Sequence, residues 1–138
     1  MRFMVFVPAN MDSEAGVMPS QEQLTQMTQF NEEMAKAGIM LAGEGLQPTS
    51  KGSRIRFEGG RATVTEGPFP QQGLVAGYWL IQARDKDEAI AWMKRAPFGP
   101  GTEIEIRPLF EPEDFGPALT PELRARESRM REQITMKR

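Results

Sequence analysis

The sequence predicts an α+β fold in which helices cover one face of an antiparallel sheet. Patterned segments follow one another as strand, helix, strand, hairpin, strand, helix and strand. The longest apolar run, residues 74–81, has apolar side chains on both parities, which is typical of an interior strand covered on both faces. Two helices that each precede a strand can cover only one face. We therefore expect a ferredoxin-like sandwich whose other face is covered by a second copy, giving a dimeric α/β barrel.

The first strand and helix have clear boundaries in the sequence. Residues 3–7 are wholly apolar and Pro8 stops them, which predicts a short strand, and residues 9–19 have the composition of a loop. Ser20 is a good N-cap, and Gln23 stands where a capping box needs it. The apolar spacing that follows indicates a helix that ends at Gly38.

A second strand over residues 39–42 and a hairpin come next. Ser53–Glu58 and Arg61–Glu66 flank Gly59 and Gly60, a pair typical of a two-residue hairpin turn. Charged and apolar residues alternate along the first arm. This alternation predicts one solvated face, so we place the hairpin at the edge of the sheet.

The second helix and the last strand follow the central apolar run. Asp85 is the predicted N-cap, and Glu88 completes a second capping box. Residues 102–110 alternate as a strand, and Pro108 places that strand at an edge.

The composition changes after the last strand, which predicts a domain over residues 1–115 and an extension over 116–138. Thr120 and Pro121 begin a helix there, and acidic and basic residues at i, i+4 spacing indicate an exposed one. Its excess of basic side chains fits a solvated arm that packs on the domain or its twin. The alternative is a contact surface for a partner or a nucleic acid.

Composition excludes several classes of function. The chain has 138 residues, a net charge of −2, no cysteine and no histidine. It therefore lacks thiolate and imidazole chemistry, disulfides and histidine metal ligands. We expect no metal, no cofactor, no membrane span and no direct nucleic-acid binding, and we expect a soluble, cytoplasmic protein.

Four segments carry a family resemblance. The sequence EGPF at residues 66–69, followed by Gly77, Tyr78 and Trp79, resembles the signature of the DGPF family within the YCII-related superfamily. Residues 43–48 (GEGLQP), 87–97 (DEAIAWMKRAP) and 105–115 (EIRPLFEPEDF) are similar to that family as well. The resemblance covers residues 1 to about 115.

The resemblance implies a ferredoxin-like dimeric barrel, and fusions of such domains to sigma-factor regions suggest a partner in transcription initiation. Members of the family are mostly uncharacterised. Here Glu66 replaces the usual aspartate, and residues 70–73 lack the family's glutamate and Lys-Glu pair. The superfamily's histidine and aspartate imply catalysis, but that chemistry does not carry over to a chain without histidine.

Five residues beside the central strand are the candidate ligand-binding groups: Glu44, Arg56, Glu66, Phe69 and Tyr78. Each also has a structural interpretation, as a turn residue, a solvated hairpin residue, a corner plug, or part of the core or dimer interface. The catalytic residues are unknown.

Two hypotheses for the function follow. The first is a non-catalytic homodimeric module that binds a small molecule or a protein partner. The second is an enzyme acting on a small organic acid or similar metabolite. It would use Glu44 and Glu66 as acid and base in a cleft between the sheet and the first helix.

Overall fold

The computed structural model describes residues 1–136, which form six strands and four α-helices. The strands are β1 (Arg2–Pro8), β2 (Met40–Gly45), β3 (Ser53–Glu58), β4 (Arg61–Glu66), β5 (Val75–Gln82) and β6 (Glu105–Pro108). The helices are α1 (Met11–Glu14), α2 (Gln21–Lys36), α3 (Lys86–Met93) and α4 (Pro121–Met136). Four strands form the main sheet in the order β2-β5-β1-β6, and every neighbouring pair is antiparallel. The α+β class, the interior position of β5 and the edge position of β6 are thus confirmed.

The core lies on one face of the main sheet. Phe3 pairs with Ile81 and Val5 with Trp79, so these four buried side chains of β1 and β5 share a face. Buried side chains of both α2 and α3 join them in a single cluster: Phe30, Met34, Ala89 and Met93. Helices α2 and α3 therefore cover the same face, as the order of elements predicts.

The opposite face of the main sheet, which we name the open face, is apolar at its centre. Met4 pairs with Leu80 and Phe6 with Tyr78, and all four side chains are only half-buried. The dimeric barrel that the sequence predicts for this face stays a prediction.

The hairpin is not part of the main sheet, so the edge position predicted for it is wrong. Strands β3 and β4 pair only with each other and form a separate two-stranded sheet. Both of its faces are solvated, because every residue of the two strands is exposed, including Ile55 (57%), Phe57 (79%) and Val64 (56%) on the apolar face. Alternating polarity arises equally in a free hairpin and in an edge strand, so the pattern alone does not distinguish them.

Most local signals in the sequence correspond to real boundaries. Ser20 and Gln23 form the capping box of α2, and Gly38 follows that helix with a φ of 75°. Gly59 and Gly60 make the hairpin turn with φ values of 54° and 77°, the region that a type I′ turn requires.

Three local details differ from the prediction. Residues 9–19 contain the short helix α1, capped by Asn10. The last strand covers only Glu105–Pro108. Asp85 caps α3, but the Glu88 carboxylate accepts a hydrogen bond from the Arg84 amide rather than from the cap residue. The reciprocal bond of the predicted box is therefore displaced by one residue.

The chain divides into two compact units, Met1–Pro108 and the part that begins at Leu109. In the second unit Phe110 stacks on Phe115 with 5.0 Å between ring centroids. The Thr120 hydroxyl accepts a hydrogen bond from the Leu123 amide, which confirms it as a helix cap. The last two residues of the predicted extension lie outside the described part. Within residues 1–136 no helix has the length and apolar character needed to cross a bilayer.

Candidate functional site

A cavity of about 430 Å³, which we name the Trp79 cavity, lies in the first unit. It is bounded by α2, by residues 13–19 and by adjoining ends of β2 and β5. Most of its wall is apolar: Val7, Val17, Met18, Met27, Trp79 and Phe98. Its volume falls in the range of roughly 300–1,000 Å³ that is typical of small-molecule sites.

Trp79 is held in place by three contacts. Its indole is 4% exposed and meets Phe30 and Phe98 edge to face, with ring centroids 5.8 and 6.0 Å away. The indole Nε1–H donates to Asn31 Oδ1 at 2.9 Å. Because Asn31 lies on α2, this bond ties the helix to the central strand across the cavity wall. The wall is therefore preformed.

Three glycines on β2 and β5 form the floor of the cavity: Gly43, Gly45 and Gly77. A Cβ atom on Gly43 would lie 2.7 Å from Trp79 Cδ1, so glycine lets the indole lie against the strand. A Cβ atom on Gly77 would lie 3.0 Å from the carbonyl oxygen of Glu44. Gly45 differs, because a Cβ atom there would have no neighbour within 4 Å. The pair of Gly45 with Gly77 thus leaves part of the floor free of side chains.

The segment of residues 13–19 forms a further wall. Asn10 and Ser13 close a capping box at the start of α1. The Glu14 carboxylate then accepts hydrogen bonds from the Thr49 amide, at 3.0 Å, and from the Thr49 hydroxyl. These bonds attach the wall segment to the loop that follows β2.

The same threonine holds the EGPF segment. Thr49 Oγ1 accepts a hydrogen bond from the Phe69 amide at 3.1 Å, and the Gly67 amide donates to the Gly52 carbonyl at 2.9 Å. A Cβ atom on Gly67 would lie 1.8 Å from the Thr49 carbonyl oxygen, so only glycine fits there. The family-like motif therefore forms a tightly packed corner.

Glu44 and Tyr78 border the Trp79 cavity without pointing into it. They pair with each other in register, directly after the pair of Gly43 with Trp79. Successive side chains of a strand alternate between faces, and Trp79 faces the helices. The side chains of Glu44 and Tyr78 therefore belong to the open face, and their backbone borders the cavity.

The other three candidates lie at the hairpin and its corner. The Glu66 carboxylate accepts a hydrogen bond from the Ser53 hydroxyl at 2.7 Å. Arg56 pairs with Glu58 at 3.1 Å, and both are largely exposed. The guanidinium of Arg54 lies 4.0 Å from the centre of the Phe69 ring.

Arg56 and Phe69 border a second groove of about 580 Å³ beside the hairpin. The five candidates therefore do not converge on one cavity, and their roles in ligand binding stay predictions. Glu44 and Glu66 in particular share neither of these two cavities. Among residues 1–136 no three acidic side chains are grouped as metal ligands would be.

The residues that best define a site were not among the candidates. Asn31 and Trp79 lie on different elements 48 residues apart, so no local motif links them. The one available signal is the spacing of Gly43 and Gly45, which puts two missing side chains on the same face of a strand.

Comparison with protein-family models matches residues 1–113 to the YCII-related domain. A search of curated proteins finds no match to this chain.

Proposed function

We propose that this chain, which belongs to the YCII-related domain family, is a homodimeric protein that binds a small molecule in the Trp79 cavity. The observation that carries the proposal is the open floor at Gly45, beside a tryptophan whose position is fixed by Asn31 and two phenylalanines. The cavity is open to solvent at its rim, where Val17, Met18 and Leu46 are exposed, and its apolar wall of about 430 Å³ has the size and character typical of small-molecule sites.

The homodimer is supported by the open face. Met4, Phe6, Tyr78 and Leu80 make an apolar centre that is only half-buried in one chain. Packing this face on its own copy would bury it through an isologous contact. The strand order β2-β5-β1-β6 with α2 and α3 on the other face supports a ferredoxin-like barrel of this kind. Glu44 and Tyr78 would then lie at the dimer interface.

The enzymatic alternative has no comparable support. It needs two carboxylates in one cleft, but Glu44 belongs to the open face and Glu66 bonds to Ser53 at the hairpin. Carboxyl pairs that share acid and base work must both reach the same substrate.

A transcription-related partner is a separate proposal, favoured by an exposed apolar stripe on α4. Leu123, Met130 and Ile134 are 44%, 42% and 51% exposed. Copurification with RNA polymerase tests it, comparing the wild-type protein with Leu123→Ser. If both proteins recovered the same amount of polymerase, the apolar stripe on α4 would not be the contact surface for it.

The cavity proposal is tested by the small molecules that purify with the protein. We expect one compound, identified by mass spectrometry of the denatured extract, to accompany the wild-type chain and to be lost from Gly45→Val. The new side chain enters free space, at a strand position without positive φ. Ala62→Val on the exposed hairpin, outside the cavity, is the matched control and should retain the compound. If the extracts of all three proteins contained the same compounds in equal amounts, the proposal would be contradicted.

The dimer is tested by sedimentation. The wild-type chain of 15.5 kDa should sediment as a dimer, and Leu80→Lys should sediment as a single chain. A lysine at the centre of an apolar interface must be desolvated, which opposes association. Thr63→Lys, which places the same charge on the exposed hairpin, should remain dimeric.

A further inference from the structure

We infer that the ligand of the Trp79 cavity is uncharged and largely apolar, and that it carries a hydrogen-bond acceptor such as a carbonyl or ether oxygen. This inference rests on the proposed function, because it names the class of molecule that the same cavity takes. It follows from two features of the wall: the absence of charge and the orientation of one amide.

The wall offers no counter-charge to an ionised ligand. No lysine, arginine or aspartate of the described chain borders the cavity. The ionisable residues that do border it are Glu44 and Tyr78, and strand alternation directs both side chains to the open face. Burying an ion without a partner costs far more than apolar contact returns. An organic acid, the substrate class of the enzymatic hypothesis, is therefore a poor occupant.

The amide of Asn31 is a directional side-chain group at the cavity wall, and its orientation is fixed by Trp79. The indole nitrogen of Trp79 is only a donor, so the Asn31 atom that faces it must be the oxygen. The two Nδ2 hydrogens of Asn31 have no hydrogen-bond partner within residues 1–136. A ligand that satisfies them must present an acceptor.

The remaining polar side chains at the border do not compete with Asn31. Ser13 uses its hydroxyl within the capping box, where it accepts from the Asn10 amide and donates to the Asn10 carbonyl. Gln47 is uncharged and exposed. The rest of the wall is aromatic, aliphatic or methionine, and methionine side chains adapt to irregular apolar shapes. One acceptor in an otherwise apolar molecule matches this wall.

Four probes of nearly equal size separate the possibilities: methyl naphthoate, naphthoate, naphthylmethylammonium and ethylnaphthalene, all substituted at the same ring carbon. Their affinities for the full-length protein are measured by isothermal titration calorimetry, up to the solubility limit of each. We expect the neutral ester to bind at least about tenfold more tightly than either ion, because neither ion finds a counter-charge. We also expect it to bind more tightly than the hydrocarbon, which lacks the acceptor.

Two variants assign the binding to the cavity and to Asn31. Gly45→Val should abolish binding of the ester, whereas Ala62→Val should leave it unchanged. Asn31→Asp keeps an oxygen for the Trp79 N–H and replaces the amide donors by a charge. It should therefore reverse the preference from the ester to the ammonium probe. Gln26→Glu adds the same charge at an exposed position of α2, away from the cavity, and should change neither affinity.

The outcomes separate this inference from the proposed function. If an ionic probe binds as tightly as the ester or more tightly, and Gly45→Val abolishes that binding, the inferred ligand class is wrong. The cavity would then still be a binding site. Equal binding of the ester and the hydrocarbon would overturn the role of Asn31. If no probe shows binding that Gly45→Val removes, the proposed function itself fails, and the inference fails with it.

Discussion

Gly67 and Gly45 show two opposite uses of a missing side chain. At Gly67 the space that a side chain would occupy is already filled, because a Cβ atom would lie 1.8 Å from the Thr49 carbonyl oxygen. At Gly45 that space is empty to beyond 4 Å. Neither glycine has a positive φ, so backbone conformation does not explain either residue. Gly67 is therefore needed for close packing of the corner, whereas Gly45 leaves space in the Trp79 cavity.

The EGPF corner and the glycines of β2, both prominent in the sequence, have different structural roles. The EGPF corner is a motif of close packing, in which Gly67 and Phe69 are both held by the loop residue Thr49. The glycines of β2 instead shape the Trp79 cavity. The recognisable motif and the proposed binding site therefore occupy different places in this fold, and the hydrogen bonds of Thr49 to Phe69 and Glu14 join them. Four substitutions and one matched control test this distinction.

The largest effect is expected from Gly67→Ala. The methyl group would overlap a backbone carbonyl, so the corner between β4 and β5 must move apart. We expect a loss of about 3 kcal/mol or more in the free energy of unfolding, measured by urea denaturation. A transition midpoint close to that of the wild type would show that the corner is not tightly packed.

Gly43→Ala should have the next largest effect. Its Cβ would lie 2.7 Å from the Trp79 ring and 2.6 Å from the terminal methyl of Met40. The flexible methionine can move aside, but the indole is held by Asn31 and two phenylalanines. We expect a loss of about 2 kcal/mol, with a change in near-UV circular dichroism from the displaced indole. Unchanged dichroism would mean that Trp79 is not fixed against the strand.

Thr49→Val tests the link between the two regions. The substitution keeps the shape and removes the hydroxyl that accepts from the Phe69 amide and donates to the Glu14 carboxylate. Leaving those groups without this partner should cost about 1–2 kcal/mol. It should also weaken binding of the ester probe, because the wall segment that includes Ser13 loses an attachment.

Thr63→Val is the matched control for that change. Thr63 lies on the exposed strand β4, and its hydroxyl makes no hydrogen bond within the described chain. Its stability should stay within about 0.5 kcal/mol of the wild type. If the two valine variants behave alike, the hydrogen bonds of Thr49 do not support the corner.

The parts of the fold that were predictable depend on neighbours in the sequence. Ser20 and Gln23 cap a helix with atoms three residues apart, and Gly59 with Gly60 makes its turn alone. The interior position of β5 in the strand order was also predictable, since apolar residues on both parities are typical of an interior strand. These signals need no knowledge of distant residues.

The parts that were not predictable depend on where distant segments meet. The separation of the hairpin from the main sheet leaves the same alternating pattern that an edge strand has. The cavity needs Asn31 opposite Trp79 and Gly45 opposite Gly77, two contacts that topology alone creates. Sequence reasoning favours charged residues such as Glu44 and Glu66 as site residues. The cavity is instead defined by the Asn31 amide, the Trp79 indole and the missing side chains of glycines.

The smallest effect on stability is expected from Gly45→Ala, and it sharpens the comparison most. The methyl group meets nothing within 4 Å, and alanine reduces the conformational freedom of the unfolded chain relative to glycine. Stability should therefore stay equal or rise by about 0.5 kcal/mol, whereas the same change at Gly67 is severely destabilising. Affinity for the ester probe should fall from the wild type to Gly45→Ala and fall further in Gly45→Val, because each added carbon takes volume from the ligand. If Gly45→Ala lowered the free energy of unfolding together with the affinity for the ester, the floor of the cavity would be part of the packed core rather than a binding surface.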